Sequence, residues 1–489
     1  MSISPVRILL FTSESCKFCP EVDRIVRRVV GAGAQNQVQV TTVDVDLAHE
    51  IAEEYQISIL PTVVIDKKVV LQGLMSEDDV KDRLWNSLFS SILERGKRLD
   101  MRKENMLFIT ERTMASVNKK ELIRSNIGDY VHLGTLQAST LSMLALDPLA
   151  RNLLYDVGRN LGMYGAGQMM LLSLNPDIST SFRLEKRFQA ILQAIKEFYS
   201  NPAAFPLFLS ESAEIVENDG DKAVLRIFGS AYAIGTPRIG ESLCSMIAGE
   251  IAGQVQVLLG RHAKVTETAC WGLGDTYCEF LIETSDKESS MEIVSDKGKK
   301  EVAARRQKFI DAMAELAGLH EDSLFMKRQF RPKAGDFVHI SAVQQAFTAL
   351  KMMDEFTGML LYSAGNENGL ISPKNVLLRE LFKTGARPPL EFNQAVKVIA
   401  ASIAHPTSLL PRTHSFVNYE IIDEDVAHLI IDENVFSAGS SNTGTSFCDW
   451  TAGFIAGRMR LLTIGEPVVK EIECTGTGAE RCKFEISIE

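Results

Sequence analysis

Six of the eight cysteines of this chain form two sets with identical spacing. Each set reads Cys-x22-Glu-x2-Cys-x7-Cys, and the second set begins 204 residues after the first. Registered matches at this distance are hard to obtain by chance, and the period is far longer than a solenoid repeat. The sequence therefore predicts two copies of one domain, with these residues in the two sets: Cys244, Glu267, Cys270 and Cys278, then Cys448, Glu471, Cys474 and Cys482.

Shorter motifs extend the repeat towards the N-terminus. The segment GDYVH at 128–132 recurs as GDFVH at 335–339, which is an offset of 207 residues. Tyrosine and glycine positions follow the same offset, and an Ala-Gly-x-Ile-Ala-Gly motif at 248–253 recurs at 452–457. Glycines in such motifs allow close approach of a second element, or simply tight core packing. The recurring positions are Tyr155, Gly158 and Gly162 with Tyr362, Gly365 and Gly369, and Gly249 and Gly253 with Gly453 and Gly457.

A chain of 489 residues is too long for one core. We expect an α/β (α+β) protein with a thioredoxin-like dithiol domain and two mixed α/β copies. The predicted division is residues 1–92 for the dithiol domain, 106–284 for the first copy, 285–319 for a linker and helix, and 320–489 for the second copy.

Hydrophobic periodicity predicts helices at 184–200 and 242–260 of the first copy. Strands are predicted at 221–234, 264–272 and 276–283, around turn-forming residues. The second copy repeats these strands at 427–438, 469–476 and 481–489, and a helical pattern at 303–319 leads into it.

The remaining two cysteines, Cys16 and Cys19, follow an apolar strand-like run at 6–12. The patterns after it continue in a β-α-β-α-β-β-α order, in which a Cys-x-x-Cys after the first strand indicates redox chemistry. A helix N-terminus at Cys16 would lower the pKa of its thiol and make it the nucleophile, and Cys19 would resolve a mixed disulfide. Half a zinc site is the alternative, disfavoured by the two self-sufficient cysteine sets.

Residues 4–90 resemble the thioredoxin/glutaredoxin family, through Cys16-Lys17-Phe18-Cys19-Pro20 and Ile59-Leu60-Pro61-Thr62. The resemblance implies a thioredoxin-like fold in which Pro61 is a cis-proline that faces the dithiol, so that Cys16, Cys19 and Pro61 form the catalytic set. The Trp-Cys-Gly-Pro-Cys motif of thioredoxin is absent, which leaves the redox potential and the substrate open.

Three thiolates and one carboxylate in each late set would form a closed tetrahedral site, which suits structural zinc. Cys270 and Cys278 lie on neighbouring strand-like segments and Cys244 on a helix, so a metal would couple these elements to folding. Free buried thiols and an iron–sulfur cluster remain alternatives. Catalytic zinc is disfavoured because no ligand position stays open. We therefore expect two structural zinc ions per chain.

The Cys-Glu-Cys-Cys spacing, with a glycine before the last cysteine, resembles the 4-vinyl reductase domain family over about 106–284 and 320–489. That family includes aromatic-sensing domains of phenol-responsive transcription activators and a small protein of bacteriochlorophyll synthesis. The resemblance implies an α/β fold with an apolar pocket for a small organic ligand, zinc on the two sets, and pairing through helices. The two copies would then form an intramolecular pseudo-dimer, and a homodimer is also compatible.

The departures from that family limit the function. The chain has no ATPase domain, Walker motif or basic helix-turn-helix, and the His and Trp that hold phenol in the sensors find no counterparts. His132, His339, Tyr155 and Tyr362 recur and would either line a pocket or be structural. Met163, Met169 and Met170 would form an adaptable apolar wall or ordinary core.

A net charge of −11 argues against nucleic-acid binding. The lack of a long apolar run and of a basic leader predicts a cytoplasmic protein without membrane association. The expected function is a redox-linked binding or sensor protein, with a small hydrophobic ligand of unknown identity and a protein partner. The alternatives are a thiol-disulfide oxidoreductase that uses the tandem domains as docking or dimerisation scaffold, and a carrier of a hydrophobic or tetrapyrrole cofactor. Whether the chain is an enzyme stays open.

Overall fold

The structure is a computed structural model of the whole chain. It describes residues 6–30, 38–65, 67–73, 75–96, 112, 116, 121–166, 184–201, 207, 209–286, 299–326, 329–353, 357–371, 374–404, 413–440 and 444–488. Met169, Met170 and most of the two expected linkers lie outside the described residues.

The N-terminal domain has the predicted β-α-β-α-β-β-α order. Its sheet has the strand order β2-β1-β3-β4, with β1 and β2 parallel and the other pairs antiparallel. Alternate residues of β1, such as Ile8 and Leu10, are buried against the helices that flank the sheet. The elements are β1 (Val6–Thr12), α1 (Cys19–Val30), β2 (Val38–Asp44), α2 (His49–Glu54), β3 (Thr62–Ile65), β4 (Lys68–Gln72) and α3 (Glu77–Gly96).

The first copy packs helices against an antiparallel sheet of order β6-β7-β9-β8. Its elements are β5 (Tyr130–His132), α4 (Leu133–Leu146), α5 (Ala150–Leu161) with a π-helical turn at Gly162–Ala166, α6 (Leu184–Ser200), β6 (Ser212–Asn218), β7 (Lys222–Phe228), α7 (Ser245–Leu259), β8 (His262–Ala269) and β9 (Cys278–Ser285).

The strand predicted at 221–234 ends at Phe228 in the structure. Gly229 has a φ of +63°, which turns the chain out of the sheet. Residues 231–235 then form turns in which the backbone N–H of Ala233 and Ile234 donate to Ser230 O. The periodic pattern therefore identified the strand but extended it too far.

The second copy repeats this plan, with an antiparallel sheet of order β11-β12-β14-β13. The mixed α/β class is confirmed, and among the described helices none is both long enough and apolar enough to cross a membrane. The elements are α8 (Lys299–Met326), β10 (Phe337–His339), α9 (Ile340–Met353), α10 (Thr357–Ile371), α11 (Lys374–Thr384), α12 (Phe392–Ala404), β11 (Phe416–Ile421), β12 (Val426–Asp432), α13 (Asp449–Arg460), β13 (Pro467–Glu473) and β14 (Cys482–Ile488).

The two copies meet at the recurring Gly-Asp-aromatic-Val-His segments. Strand β5 pairs antiparallel with β10, and Val131 lies opposite Val338. In both copies the glycine has a positive φ, and the aspartate accepts backbone N–H groups from the turn before it. Helix α8 precedes the second copy but packs on α4 of the first, where His320 Nε2 lies 2.7 Å from Gln137 Oε1.

The recurring glycines face each other across a helix pair in each copy. Helix α5 packs on α7, and α10 packs on α13, at distances that leave no room for side chains. A Cβ at Gly249 would overlap Tyr155 O, and a Cβ at Gly453 would overlap Tyr362 O. We call these contacts the glycine seams; they consist of Gly158, Gly162, Gly249 and Gly253 in the first copy and Gly365, Gly369, Gly453 and Gly457 in the second.

Helix α1 of the N-terminal domain contacts the second copy near its own C-terminal end. Arg28 forms ion pairs with Glu466 at 3.0 Å and with Glu77 at 2.7 Å, and its side chain is 17% exposed. Ser363 Oγ on α10 donates to Val29 O at 3.2 Å. The helix that follows the dithiol is therefore anchored on the second copy.

Candidate metal centres and the dithiol

The metal-ligating residues of each copy come from a helix start and two neighbouring strands. Glu267 and Cys270 are three residues apart, so in a regular strand their side chains would point to opposite faces of the sheet. The pairing of β8 with β9 shifts register between Glu267 and Ala269, which marks a β-bulge. The same shift occurs between Glu471 and Glu473 in β13. A bulge of this kind changes the phase of the strand and lets both side chains face the helix.

The third and fourth positions are set by the helix and the next strand. Cys244 immediately precedes α7, and its backbone N–H donates to Glu267 Oε2 at 2.9 Å. Cys278 begins β9 with its side chain buried, in step with Phe280 and Ile282. In the second copy the Cys448 N–H donates to Glu471 Oε2 at 3.2 Å. The glutamate thus connects the strand to the helix start in both copies.

Glycines shape the turn between the last two cysteines. A Cβ at Gly272 would overlap Glu241 O, and one at Gly476 would overlap Thr445 O. Gly274 has a φ of +105° and Gly478 a φ of +98°, where an L side chain is strained. The turn therefore folds back tightly under the cysteine that precedes it.

The four side chains of each set come together. The ligand atoms of each set lie within 4.8 Å of one another. In the first set Cys278 Sγ lies 3.4 Å from Cys244 Sγ and 4.0 Å from Cys270 Sγ. In the second set Cys448 Sγ lies 3.4 Å from Cys482 Sγ. Sulfurs around a tetrahedral zinc, with Zn–S bonds of about 2.3 Å, are separated by about 3.8 Å. Both Cys-Glu-Cys-Cys clusters could therefore hold a metal ion.

Polar atoms in the clusters lack partners. Glu267 Oε1 and Glu471 Oε1 are buried without a hydrogen-bond partner among the described residues. Burial raises the pKa of both carboxyls, and of the Cys244 and Cys448 thiols, well above their usual ranges. Four such groups side by side are stabilised when a cation lies among them. The orphaned carboxylate oxygen in each cluster therefore fits a metal ligand.

The two N-terminal cysteines form a disulfide with a Cα–Cα distance of 5.5 Å. Helix α1 begins at Cys19, so Cys16 lies in the turn before the helix, whereas the sequence predicts it at the helix N-terminus. Cys16 is half-buried and Cys19 is buried. The Leu60–Pro61 peptide bond is cis, and Phe18 and Ile59 are exposed.

Comparisons with known proteins agree with this division of the chain. A thioredoxin domain family model matches residues 6–84, and a 4-vinyl reductase domain model matches residues 223–284 and 427–488. The chain joins one thioredoxin domain to two 4-vinyl reductase domains. Each of the two later matches includes the three C-terminal ligands of its cluster, and their family is the one that the cysteine spacing resembles. We refer to the two copies below as the first and second vinyl reductase domains.

The similar proteins in curated collections are uncharacterized. One from Methanocaldococcus jannaschii is 26% identical over 161 residues, which is 33% of this chain and 80% of that protein. A second from the same organism is 31% identical over 74 residues, which is 15% of this chain and 46% of that protein.

Two solved structures are also similar. The phenol-bound sensory domain of the transcription activator PoxR has 15% identity and a TM-score of 0.22, covering 36% of this chain and 82% of that chain. A trafficking protein particle complex subunit 3 from Naegleria fowleri, covalently bound to palmitic acid, has 13% identity and a TM-score of 0.21, covering 38% and 97%. These scores are too low to support an inference about fold or function.

Two serines contact the metal clusters of the vinyl reductase domains, and the sequence analysis missed both. Ser230 Oγ lies 3.5 Å from Cys244 Sγ, and Ser437 Oγ lies 3.0 Å from Cys482 Sγ and 3.3 Å from Cys448 Sγ. Both serines are fully buried. They are 207 residues apart, which is the offset of the upstream repeat motifs. That offset was the signal that could have found them.

The recurring histidines and tyrosines of the vinyl reductase domains have structural contacts. His132 Nδ1 accepts from the N–H of Gly134 at the start of α4, and His339 Nδ1 accepts from Ser341 N at the start of α9. Burial lowers the pKa of both histidines to about 4. Tyr155 OH accepts from Val265 N at 3.2 Å, which connects α5 to β8.

Proposed function

We propose that this chain is a redox-linked small-molecule-binding protein, in which the thioredoxin domain reports redox state to zinc-containing vinyl reductase domains. The contact of α1 with the second vinyl reductase domain is the observation on which the proposal rests. The dithiol lies at one end of this helix, and Arg28 and Val29 contact that domain near the other end. The family match of the two domains supports a small organic ligand.

Each vinyl reductase domain would hold one zinc ion on its Cys-Glu-Cys-Cys cluster: Cys244, Glu267, Cys270 and Cys278, or Cys448, Glu471, Cys474 and Cys482. When bound, zinc neutralises the buried thiolates and cross-links the helix start to the strands. The protein supplies all four ligands, so no position remains for a substrate. Buried free thiols of this kind are typical of a reducing compartment, which supports the cytoplasm as the location.

Reduction of the Cys16–Cys19 disulfide needs two electrons and two protons from an external dithiol. Its thiolate attacks one sulfur, a mixed disulfide forms, and the second external thiol releases the reduced protein. Cys16 is the more accessible sulfur, because Cys19 is only 3% exposed. We therefore propose Cys16 as the sulfur that exchanges, with Cys19 as its resolving partner and Pro61 beside them.

Charged residues continue the contact from α1 to the second metal cluster. Glu466 pairs with both Arg28 and Arg460, and Arg460 Nη1 donates to Asn366 Oδ1 at 2.6 Å. Arg460 ends α13, the helix that starts directly after the ligand Cys448. A shift of α1 on reduction would therefore act on α10 and α13 together.

Replacing Arg28 by methionine is expected to uncouple the two domains. The Arg28–Glu466 pair is partly buried and contributes about 1 kcal/mol. In the wild type, reduction should change amide hydrogen exchange in α10 and α13 by several-fold; in Arg28→Met this change should disappear. Arg27→Met is the matched control, because the ion pair of Arg27 is with Asp23 in the same helix. Equal exchange in oxidised and reduced wild type would contradict the proposal.

A second candidate function is thiol-disulfide exchange with a partner protein, favoured by the accessible Cys16 beside a cis-proline and the exposed Phe18 and Ile59. The Cys16→Ser/Cys19→Ser variant separates the two. Under the redox-linked proposal, its hydrogen exchange in α10 and α13 should equal that of reduced wild type, with or without an oxidant. An exchange pattern that still responds to oxidant would show that other cysteines carry the response. An unresponsive wild type with full disulfide-reductase activity would favour the second candidate.

We further propose that the chain divides at 1–92, 106–284, 285–319 and 320–489, and that the two vinyl reductase domains form an intramolecular pseudo-dimer. The β5–β10 pairing supports this arrangement. So does α8, which leads into the second domain but packs on α4 of the first.

A further inference from the structure

Helix α7 of the first vinyl reductase domain has a buried polar face. Glu250 and Gln254 are one turn apart; Gln254 is fully buried and Glu250 is 8% exposed. Neither the Nε2 nor the Oε1 atom of Gln254 has a hydrogen-bond partner among the described residues. A buried carboxamide without partners costs stability, and native proteins rarely keep one without a reason.

The neighbouring groups are polar as well. Tyr199 OH on α6 donates to Glu250 Oε2 at 3.0 Å, and both residues are buried. Tyr232 OH donates to Met246 Sδ at 3.9 Å on the preceding turn of α7. Burial raises the pKa of Glu250 to about 7. This face therefore presents a carboxyl and a free carboxamide side by side.

The opposing helix is irregular at the same place. Helix α5 continues into the π-helical turn Gly162–Ala166 where it passes α7, and a Cβ at Gly162 would overlap Glu250 O. π-Helical turns widen a helix and are frequent at functional sites. The irregularity thus coincides with the two polar side chains.

The second vinyl reductase domain differs at each of these positions. Phe454 and Arg458 replace Glu250 and Gln254, and Trp450 replaces Met246. The rings of Trp450 and Phe454 stack with their centroids 5.5 Å apart, and α10 continues as an α-helix to Ile371. Aromatic side chains therefore fill the equivalent space.

We propose that the first vinyl reductase domain binds, on Gln254 and Glu250, a small and largely apolar molecule that carries an uncharged carboxamide or lactam edge. The inference rests on the proposed ligand-binding function and specifies its site and ligand class. A carboxamide presents a donor and an acceptor side by side, which matches the two free atoms of Gln254. Glu250 and the thiols around Cys244 disfavour an anionic ligand.

Calorimetry on the full-length, zinc-loaded protein tests this with benzamide, benzoate and toluene. We expect benzamide to bind with a dissociation constant below about 1 mM, and benzoate to bind much more weakly. Gln254→Leu should weaken benzamide at least about tenfold and leave toluene unchanged. Gln256→Leu, the same change on a half-buried position of α7, is the matched control and should bind as the wild type does.

Thermal unfolding of the unliganded protein gives an independent result. Gln254→Leu removes an unpartnered amide and should raise the Tm by about 2–4 °C, whereas Gln256→Leu should change it little. A lower Tm for Gln254→Leu would mean that the amide is structural and would overturn the inference. Equal binding of benzamide and toluene to wild type and Gln254→Leu would overturn the polar edge but retain ligand binding. Binding of none of the three probes would overturn the inference, while the redox link is judged separately by hydrogen exchange.

Discussion

Replacing Cys448 by serine is expected to reduce the metal content from two ions per chain to one and to lower the Tm by about 10 °C or more. Three sulfurs and a carboxylate lie within 4.8 Å in this cluster, and Glu471 Oε1 has no partner among the described residues. Loss of the ion leaves these buried groups unbalanced. Structural zinc contributes roughly 10–16 kcal/mol in zinc-finger peptides. A vinyl reductase domain keeps an apolar core without it, so we expect a loss on the order of 5 kcal/mol.

Cys244→Ser should give the same change in the first domain, because the two clusters have the same ligands. Cys19→Ser is the matched control: it replaces a cysteine outside both clusters and should keep two metal ions. Metal content by plasma mass spectrometry and the Tm by calorimetry measure both effects. Two ions retained in Cys448→Ser would contradict the assignment of this ligand.

Gly453→Ala is expected to destabilise the second vinyl reductase domain by about 4 kcal/mol or more. The added Cβ would overlap the carbonyl oxygen of Tyr362, which belongs to the backbone of α10 and cannot move to another rotamer. The two helices of the glycine seam would have to separate along their contact. Urea unfolding followed by circular dichroism measures the loss.

Gly318→Ala is the control for this substitution. Gly318 also lies in a helix, but a Cβ there would meet no atom within 4 Å. Alanine has the higher helix propensity, so this variant should gain about 0.5–1 kcal/mol. Similar stability of Gly453→Ala and wild type would show that α10 and α13 do not approach each other closely in solution.

The repeat, the fold of the N-terminal domain and the membership of both metal clusters could be predicted from the sequence. Cysteine spacing survives in the sequence whatever the surrounding structure, and the offset of 204 residues identified both sets at once. The geometry that joins the ligands could not be predicted. In a regular strand Glu267 and Cys270 would face opposite ways, and only pairing with β9 shows the bulge that brings them together.

Other features depend on contacts between distant residues. Helix propensity alone does not show that α1 begins at Cys19, and a periodic pattern does not show that β7 stops at Phe228. The ion pair of Arg28 with Glu466 joins residues from different domains, and no local pattern contains it. The free amide of Gln254 could not be predicted either, because the sequence around it reads as an ordinary apolar helix.

Native mass spectrometry of gently purified wild-type protein, beside its denatured mass, would show metal and ligand in one experiment. We predict two zinc ions per chain and an additional small organic mass that is lost on denaturation. Two zinc ions without an organic mass would remove the direct support for a bound ligand and shift the weight to dithiol chemistry. A protein that carries no metal would contradict the role assigned to six of its eight cysteines.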